Sequence, residues 1–173
     1  INKAQKVYLL KKITNILGGE TTISYKKIAD VDNRGQDNIH DLSFNGWVVS
    51  EINKNNGLQN LQGVYSVDSY DYSGGYFDSN DKEFRGFNYV VQNSSNGAIS
   101  KNWFYQDKYK KGLVYRQEVV DSNGKLYKKN ENNYLVQQSS PGYYSVKLGS
   151  QNSTDIAFQN NSETVEVNYV YDN

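Results

Sequence analysis

The chain has no cysteine, no methionine, one proline and one histidine among its 173 residues. Without cysteine there is no disulfide, no thiolate metal site and no cysteine nucleophile. His40 is the sole imidazole, so a Ser–His–Asp site would have to use it, and a zinc site could draw only one imidazole ligand from the chain. Lying in a polar stretch, His40 reads as a surface histidine. Excess charge of either sign is missing too: 19 basic and 19 acidic side chains cancel. Nothing electrostatic therefore favours nucleic acid or an anionic lipid surface. Long apolar runs are absent. The longest, VYLL at 7–10, is far too short to cross a bilayer. No signal peptide or anchor is visible, and the start at Ile1 points to an excised or processed chain.

What the chain has in abundance is tyrosine, 16 residues of it. Tyrosine, valine, isoleucine and threonine suit a pleated, half-buried surface, and the plentiful Asn, Ser and Gly suit turns. Period-2 alternation follows. In VEVNYVY, Val165, Val167, Tyr169 and Tyr171 share one face, with Glu166, Asn168 and Val170 on the other. In YYSVKL, Tyr144, Val146 and Leu148 alternate with Tyr143, Ser145 and Lys147. VVDSNGKLY reads as a hairpin with Gly124 at positive φ. AQKVYLLKKITNILGG supports two readings: a helix with Val7, Leu10, Ile13 and Leu17 on one stripe, or a strand paired with TTISYKKI across Gly18 and Gly19. The β-branched residues and double glycine favour the strand.

Four blocks recur in one order. ISYKKIADVDNRG is echoed by LVYRQEVVDSNG, both ending in Val-Asp-x-x-Gly, at Val31 and Val120. NGWVVSE, with Trp47, is echoed by NNYLVQQ, with Tyr134. GVYSV at Gly63 is echoed by GYYSV at Gly142, and a phenylalanine follows each, Phe77 and Phe158. NYV then recurs at Asn88 and Asn168, 80 residues apart. One order across four blocks indicates an internal duplication, with units near 21–93 and 111–173. Each unit is expected to be a small, mainly antiparallel sheet, close to the lower size limit for a core of its own.

Val-Asp-x-x-Gly-Lys after a strand, then Pro-Gly-Tyr, then a terminal TVEVNYVYDN resembles the mucin-binding (Mub or MucBP) repeats of lactic acid bacterial surface proteins. The resemblance is carried by VVDSNGKLY, SSPGYYSV and ETVEVNYVYDN in the second unit, and by TTISYKKIADVD, Trp47 and GVY in the first. The first unit has Val64 where the motif has tyrosine, and it lacks the proline. The resemblance implies a β-rich α+β fold: two tandem β-grasp-like (ubiquitin-like) domains, each with a short helix, forming an elongated rod. Residues 1–100 would be the first module and 101–173 the second. It also implies a cell-wall-anchored extracellular adhesin of Gram-positive bacteria. Its partners would be host mucin glycans or glycoproteins, immunoglobulins in some members, and neighbouring repeats of the same chain. The alternatives are a structural stalk or a fragment of a carbohydrate-active enzyme.

The expected ligand site is the stretch VDSYDYSGGYFDSND, where Tyr70, Tyr72 and Tyr76 interleave with Asp68 and Asp71. Tyrosine rings cover the C–H face of a sugar or anchor a protein partner, while carboxylates accept hydroxyl hydrogen bonds. The bland reading is that the tyrosines fold back on the sheet edge. Asp78 and Asp81 could join Asp68 around a metal. DVDNRGQDNIHD partly matches a calcium loop, with Asp30, Asp32 and Asp41 as ligands, but Arg34 stands where an oxygen belongs. A solvated turn accounts for it as well. No cofactor and no catalytic residue is expected, since paired carboxylates around a cleft cannot be singled out.

Overall fold

The computed structural model describes residues 8–33, 42, 44–58, 65–156 and 161–172. Ten strands follow in chain order: β1 (Lys12–Thr14), β2 (Glu20–Lys27), β3 (Trp47–Asn55), β4 (Tyr65–Asp78), β5 (Glu83–Ser94), β6 (Ile99–Phe104), β7 (Val114–Val120), β8 (Leu126–Ser140), β9 (Tyr143–Ile156) and β10 (Ser162–Asn168). Each pairs with the next, antiparallel, in one sheet of order β1 to β10. The expected β-grasp modules are therefore corrected. Among the described residues the helical content is a single 3-10 turn, Ile28–Asp30, and no helix packs on a sheet. The physical reason is local. Antiparallel neighbours can be joined directly by a turn or loop, so no crossover helix is needed. Asn/Ser/Gly turns supply several of these connections, as at Gly124, whose φ is +82°.

Near the N-terminus, Lys12–Thr14 pairs with Glu20–Thr22, so these residues form a strand. The turn between is closed by Asn15, whose side-chain oxygen accepts from the N–H groups of Leu17 and Gly19.

The four echoed blocks fall on strands five apart: β2 with β7, β3 with β8, β4 with β9, and β5 with β10. Trp47 opens β3 and Tyr134 lies in β8. Val31 and Val120, the paired valines of Val-Asp-x-x-Gly, are both buried. The halves are nonetheless continuous, because β6 pairs with β5 on one side and β7 on the other. The boundary expected at 100/101 falls inside β6.

Five of the nine pairings carry register shifts, which bend and twist the sheet. β3 pairs with β4 through Glu51–Asn55 and then leaves it. The β2–β3 connection crosses the far end of β4 and β5 instead, where Asp32 bridges Ser73 in parallel. Here lies the aromatic core: Phe44 against Phe84 (5.1 Å) and Phe77 (5.9 Å), with Phe87 against Phe84 (5.5 Å) and Tyr72 (5.0 Å). Ile28 and Val31 are buried nearby.

Elsewhere, among the described residues, the sheet is a single layer. One face carries an in-register row of amides and a hydroxyl across four strands. Gln117 donates to Asn102 (2.9 Å), Asn130 to Gln117 (3.3 Å) and Ser153 to Asn130 (2.9 Å). On the opposite face charged residues alternate, Lys101, Glu118 and Lys129 in one row. Gln117→Ala breaks two links of the amide row and is expected to cost about 1–2 kcal/mol in urea unfolding. The chain exposes 12234 Å². A compact monomer of 19.8 kDa exposes about 8,600 Å², so the chain as a whole leaves more surface open than a compact domain of its size.

Candidate functional site

The stretch expected to be a ligand loop is strand β4. Alternation along β4 places Asp68, Tyr70 and Tyr72 on one face and Asp71 on the other. Tyr76 lies past the irregularity at Gly75/Phe77 and is exposed. The structure therefore divides the five expected residues between two faces.

Each has a structural partner or position. Tyr72 fills the gap where β3 leaves β4. Its hydroxyl donates to the Val49 carbonyl at 2.8 Å, a group that β4 would otherwise have satisfied. Burial, then the neighbouring Tyr70 and Asp71, push its pKa up to about 12. Tyr70 is half-buried, and burial followed by the Asp68 charge raises its pKa. Asp68 accepts from the Ser94 hydroxyl at 2.6 Å, and this bond is the main cause of its lowered pKa, working against desolvation. Lys54 stands 3.7 Å from the same carboxylate. Asp71 pairs with Lys26 at 2.8 Å, and the same ammonium donates to the Tyr70 carbonyl at 2.9 Å.

Tyr72→Phe is expected to cost about 1 kcal/mol at neutral pH. A tyrosine pKa raised on folding contributes stability that is complete below the unfolded value near 10. That stability is lost as pH rises through the folded value, about 12. The stabilities of wild type and Tyr72→Phe should therefore stay apart up to about pH 10 and draw together as pH rises from there towards 12.

Of the calcium candidates, Asp30 ends the 3-10 turn, and the Asp32 carbonyl accepts the Gly74 N–H at 3.2 Å. Asp41 and His40 lie outside the described residues. Among the described residues no three His, Cys, Asp or Glu side chains gather as a metal site. Asp78 and Asp81 are engaged by Arg85, each at 2.7 Å from Nη2. Asp68 sits ten positions up the same strand from Asp78, about 33 Å away along an extended chain.

Arg85 anchors a cluster that the sequence did not single out. Three connections meet at this end of the sheet: the β4–β5 turn, the β6–β7 connection and the β8–β9 turn. They line an open hollow of about 830 Å³ with Asp81, Glu83, Lys108, Lys111, Tyr109 and Tyr144. Tyr109 stacks on Tyr144 at 4.4 Å. Lys111 reaches Glu83 at 2.6 Å, and Lys108 lies 3.6 Å from Asp81. Asp78 is held below the usual carboxylate range, first by the Asp81 N–H and then by the Asn80 N–H and Arg85, against desolvation. Gln106 donates to the carbonyls of Gly74 (2.7 Å) and Gly86 (2.8 Å), tying the β6–β7 connection to the bulged part of β4 and β5. Among the described residues these ion pairs answer one another, so the arrangement is a staple between turns. The one hint in the sequence was the run of Asp-Ser-Asn-Asp before FRG, a turn followed by an arginine.

The family described as the insecticide toxin TcdB middle/N-terminal region matches residues 1–118. The chain belongs to that family. Solved structures agree on the fold. TcdB2-TccC3 superposes with a TM-score of 0.68 at 18% identity, over 86% of this chain and 11% of that one. The same complex without its hypervariable C-terminal region gives 0.68 at 17%, over 86% and 10%. The Photorhabdus luminescens Tc holotoxin pore, with a TccC3 variant, gives 0.67 at 18%, over 86% and 10%. The chain thus spans about a tenth of the length of these neighbours. No curated protein matches in sequence.

Membership in the TcdB family overturns the mucin-binding resemblance, and with it the reading as a lactic acid bacterial adhesion repeat anchored in a Gram-positive cell wall. The mucin and immunoglobulin partners fall as well, the structural neighbours being Tc toxin assemblies. The misleading motifs were turn and strand signals. Val-Asp-x-x-Gly, Pro-Gly-Tyr and a Val/Tyr alternation serve any antiparallel meander.

Proposed function

We propose that this chain is a wall-building segment of the TcdB-type component of a secreted insecticidal Tc toxin. In that role it acts with a TccC-type partner inside the larger complex and performs no catalysis itself. The family match over residues 1–118 carries this reading. The shape of the sheet supports it. A curved single layer with both faces half-open gains stability when other parts of a large assembly cover it. Its 12234 Å² of exposed surface is the quantity such packing would reduce. The side chains favour the same role. The amide row and the alternating charges are satisfied within the sheet, and Arg85 and its carboxylates form a staple, which leaves no poised acid, base or nucleophile in these clusters of the described residues. No cofactor is required by this role.

The test is hydrogen exchange on the chain alone and on a complete TcdB-type polypeptide containing it. Strands β6 to β9 should exchange more slowly in the complete polypeptide, because its other parts cover their faces. Equal exchange rates in both forms would contradict the proposal, as would a turnover activity that survives in the isolated chain.

A further inference from the structure

With no cysteine, the chain has no disulfide to tie its turns together. Tyrosine is what it has instead, and two tyrosine rings meet across its turns. Tyr109 lies in the β6–β7 connection and Tyr144 near the start of β9, far apart in the chain. Their ring centroids are 4.4 Å apart and their planes 36° from parallel, so ring carbons meet at van der Waals distance, about 3.5–4 Å. The hydroxyl ends lie together as well. The Tyr109 pKa is raised, first by a hydrogen-bonding interaction with the Tyr144 hydroxyl and then by desolvation.

Both rings are held by local structure, and both are reachable. The Asp107 carboxylate accepts from the Tyr109 and Lys110 N–H groups, each at 3.0 Å, and the Lys111 N–H donates to the Asp107 carbonyl at 3.1 Å, which winds the connection into a tight turn. Tyr144 sits opposite Gln138 in the β8–β9 ladder, two residues past Gly142, whose φ is +84°. Tyr109 is 40% and Tyr144 44% exposed, on the wall of the open hollow between the turns. The tyrosine rings around Tyr105 differ. Tyr105 lies 5.0 Å from Tyr115 and 6.0 Å, nearly perpendicular, from Tyr134, and all three are half-buried. The Lys110 ammonium also stands 4.3 Å over the Tyr105 ring, where its charge opposes the loss of an electron.

We propose that Tyr109 and Tyr144 form a cross-linking site, joined as dityrosine by a peroxide-driven one-electron oxidant. Each phenol gives up one electron and its hydroxyl proton, which leaves two phenoxyl radicals side by side. Their ortho carbons form one C–C bond, and each of those carbons then passes its hydrogen to its own phenolic oxygen, restoring both aromatic rings. Two electrons and two protons leave in all, and one hydrogen peroxide takes them up to become two waters. Adjacency supplies the selectivity, since radicals held in contact couple before either meets another tyrosine. The new bond fastens the β6–β7 connection to β9 as a disulfide would. Both partners belong to this chain, and the inference stands apart from the toxin reading.

The test treats a complete TcdB-type polypeptide containing this chain with a haem peroxidase and limiting hydrogen peroxide. The product is digested, and linked peptides are read by mass spectrometry. The first product expected joins the Tyr109 and Tyr144 peptides, is two hydrogen atoms lighter than their sum and shows dityrosine fluorescence. It should exceed any other tyrosine pair within the chain by about tenfold or more. Tyr109→Phe and Tyr144→Phe should each abolish it, while Tyr105→Phe leaves it unchanged. In denaturant the preference for this pair should disappear. The proposal is overturned if no such product forms, if another pair within the chain links first, or if Tyr109→Phe leaves the yield unchanged. An equal preference in the denatured polypeptide would overturn it too, because the folded geometry would then select nothing.

Discussion

Replacing Arg85 with alanine is expected to lower the unfolding free energy by about 3 kcal/mol, at the low end for a broken buried ion pair. The guanidinium is 8% exposed and bridges Asp78 and Asp81, each at 2.7 Å. Its Nη1 also points at the Gln106 carbonyl at 3.4 Å. Truncation removes the guanidinium that bridges both carboxylates and opens a hole between the turns. Arg85→Lys should recover part of the loss, since an ammonium restores charge but not the fork. Both variants are read by denaturant unfolding with tyrosine and tryptophan fluorescence. The lowered Asp78 pKa sets the pH sign: its contribution is present above the unfolded value near 3.9 and is lost as pH falls through the folded one. An Arg85→Ala variant as stable as wild type at pH 7 would remove the staple from this account.

Gly75→Ala should cost about 2 kcal/mol by overpacking. A Cβ there would stand 2.6 Å from Leu42 Cδ1, 2.7 Å from Asn33 Oδ1 and 3.1 Å from Phe87 Cε1. Two of these neighbours are held in place. Asn33 is buried and donates to the Ile28 carbonyl at 2.7 Å, and Phe87 is wedged between Tyr72 and Phe84. The added methyl would push the β2–β3 connection off the sheet, so the loss should be accompanied by faster exchange at Val31 and Asp32. A drop in stability without that local change would indicate a different cause.

Much of the fold was legible in the residues. Period-2 alternation in VEVNYVY and YYSVKL marks strands, and Asp121 to Gly124 marks a hairpin, because these signals act over a few neighbouring residues. The echo of NYV, with its three companion blocks, reflects a five-strand offset that the topology displays. The partner of each strand was less accessible. Alternation states that a strand has two faces, and it is silent on whether five strands close into a module or ten continue as one sheet. The motifs that suggested a mucin-binding repeat were of this local kind.

The candidate site was legible only in part. Tyr70, Tyr72 and Tyr76 stand out in the sequence, but Tyr72 acquires its role from a long-range event, the departure of β3 from β4 that leaves the Val49 carbonyl open. Arg85, Tyr109 and Tyr144 come together because three separate turns reach the same end of the sheet. No spacing in the chain encodes that meeting.

The central claim is that one sheet runs unbroken through both halves. Asp71, Val91, Lys101, Glu118, Lys129, Thr154 and Thr164 lie in one row across β4 to β10. The absence of cysteine permits clean spin labelling of Asp71→Cys with Thr164→Cys, two exposed positions. Six strand spacings separate them, so pulsed electron–electron resonance should give one narrow distribution at about 25–29 Å, the lower end reflecting curvature. A broad distribution, or one centred well beyond about 40 Å, would mean two separate modules and would contradict the continuous sheet.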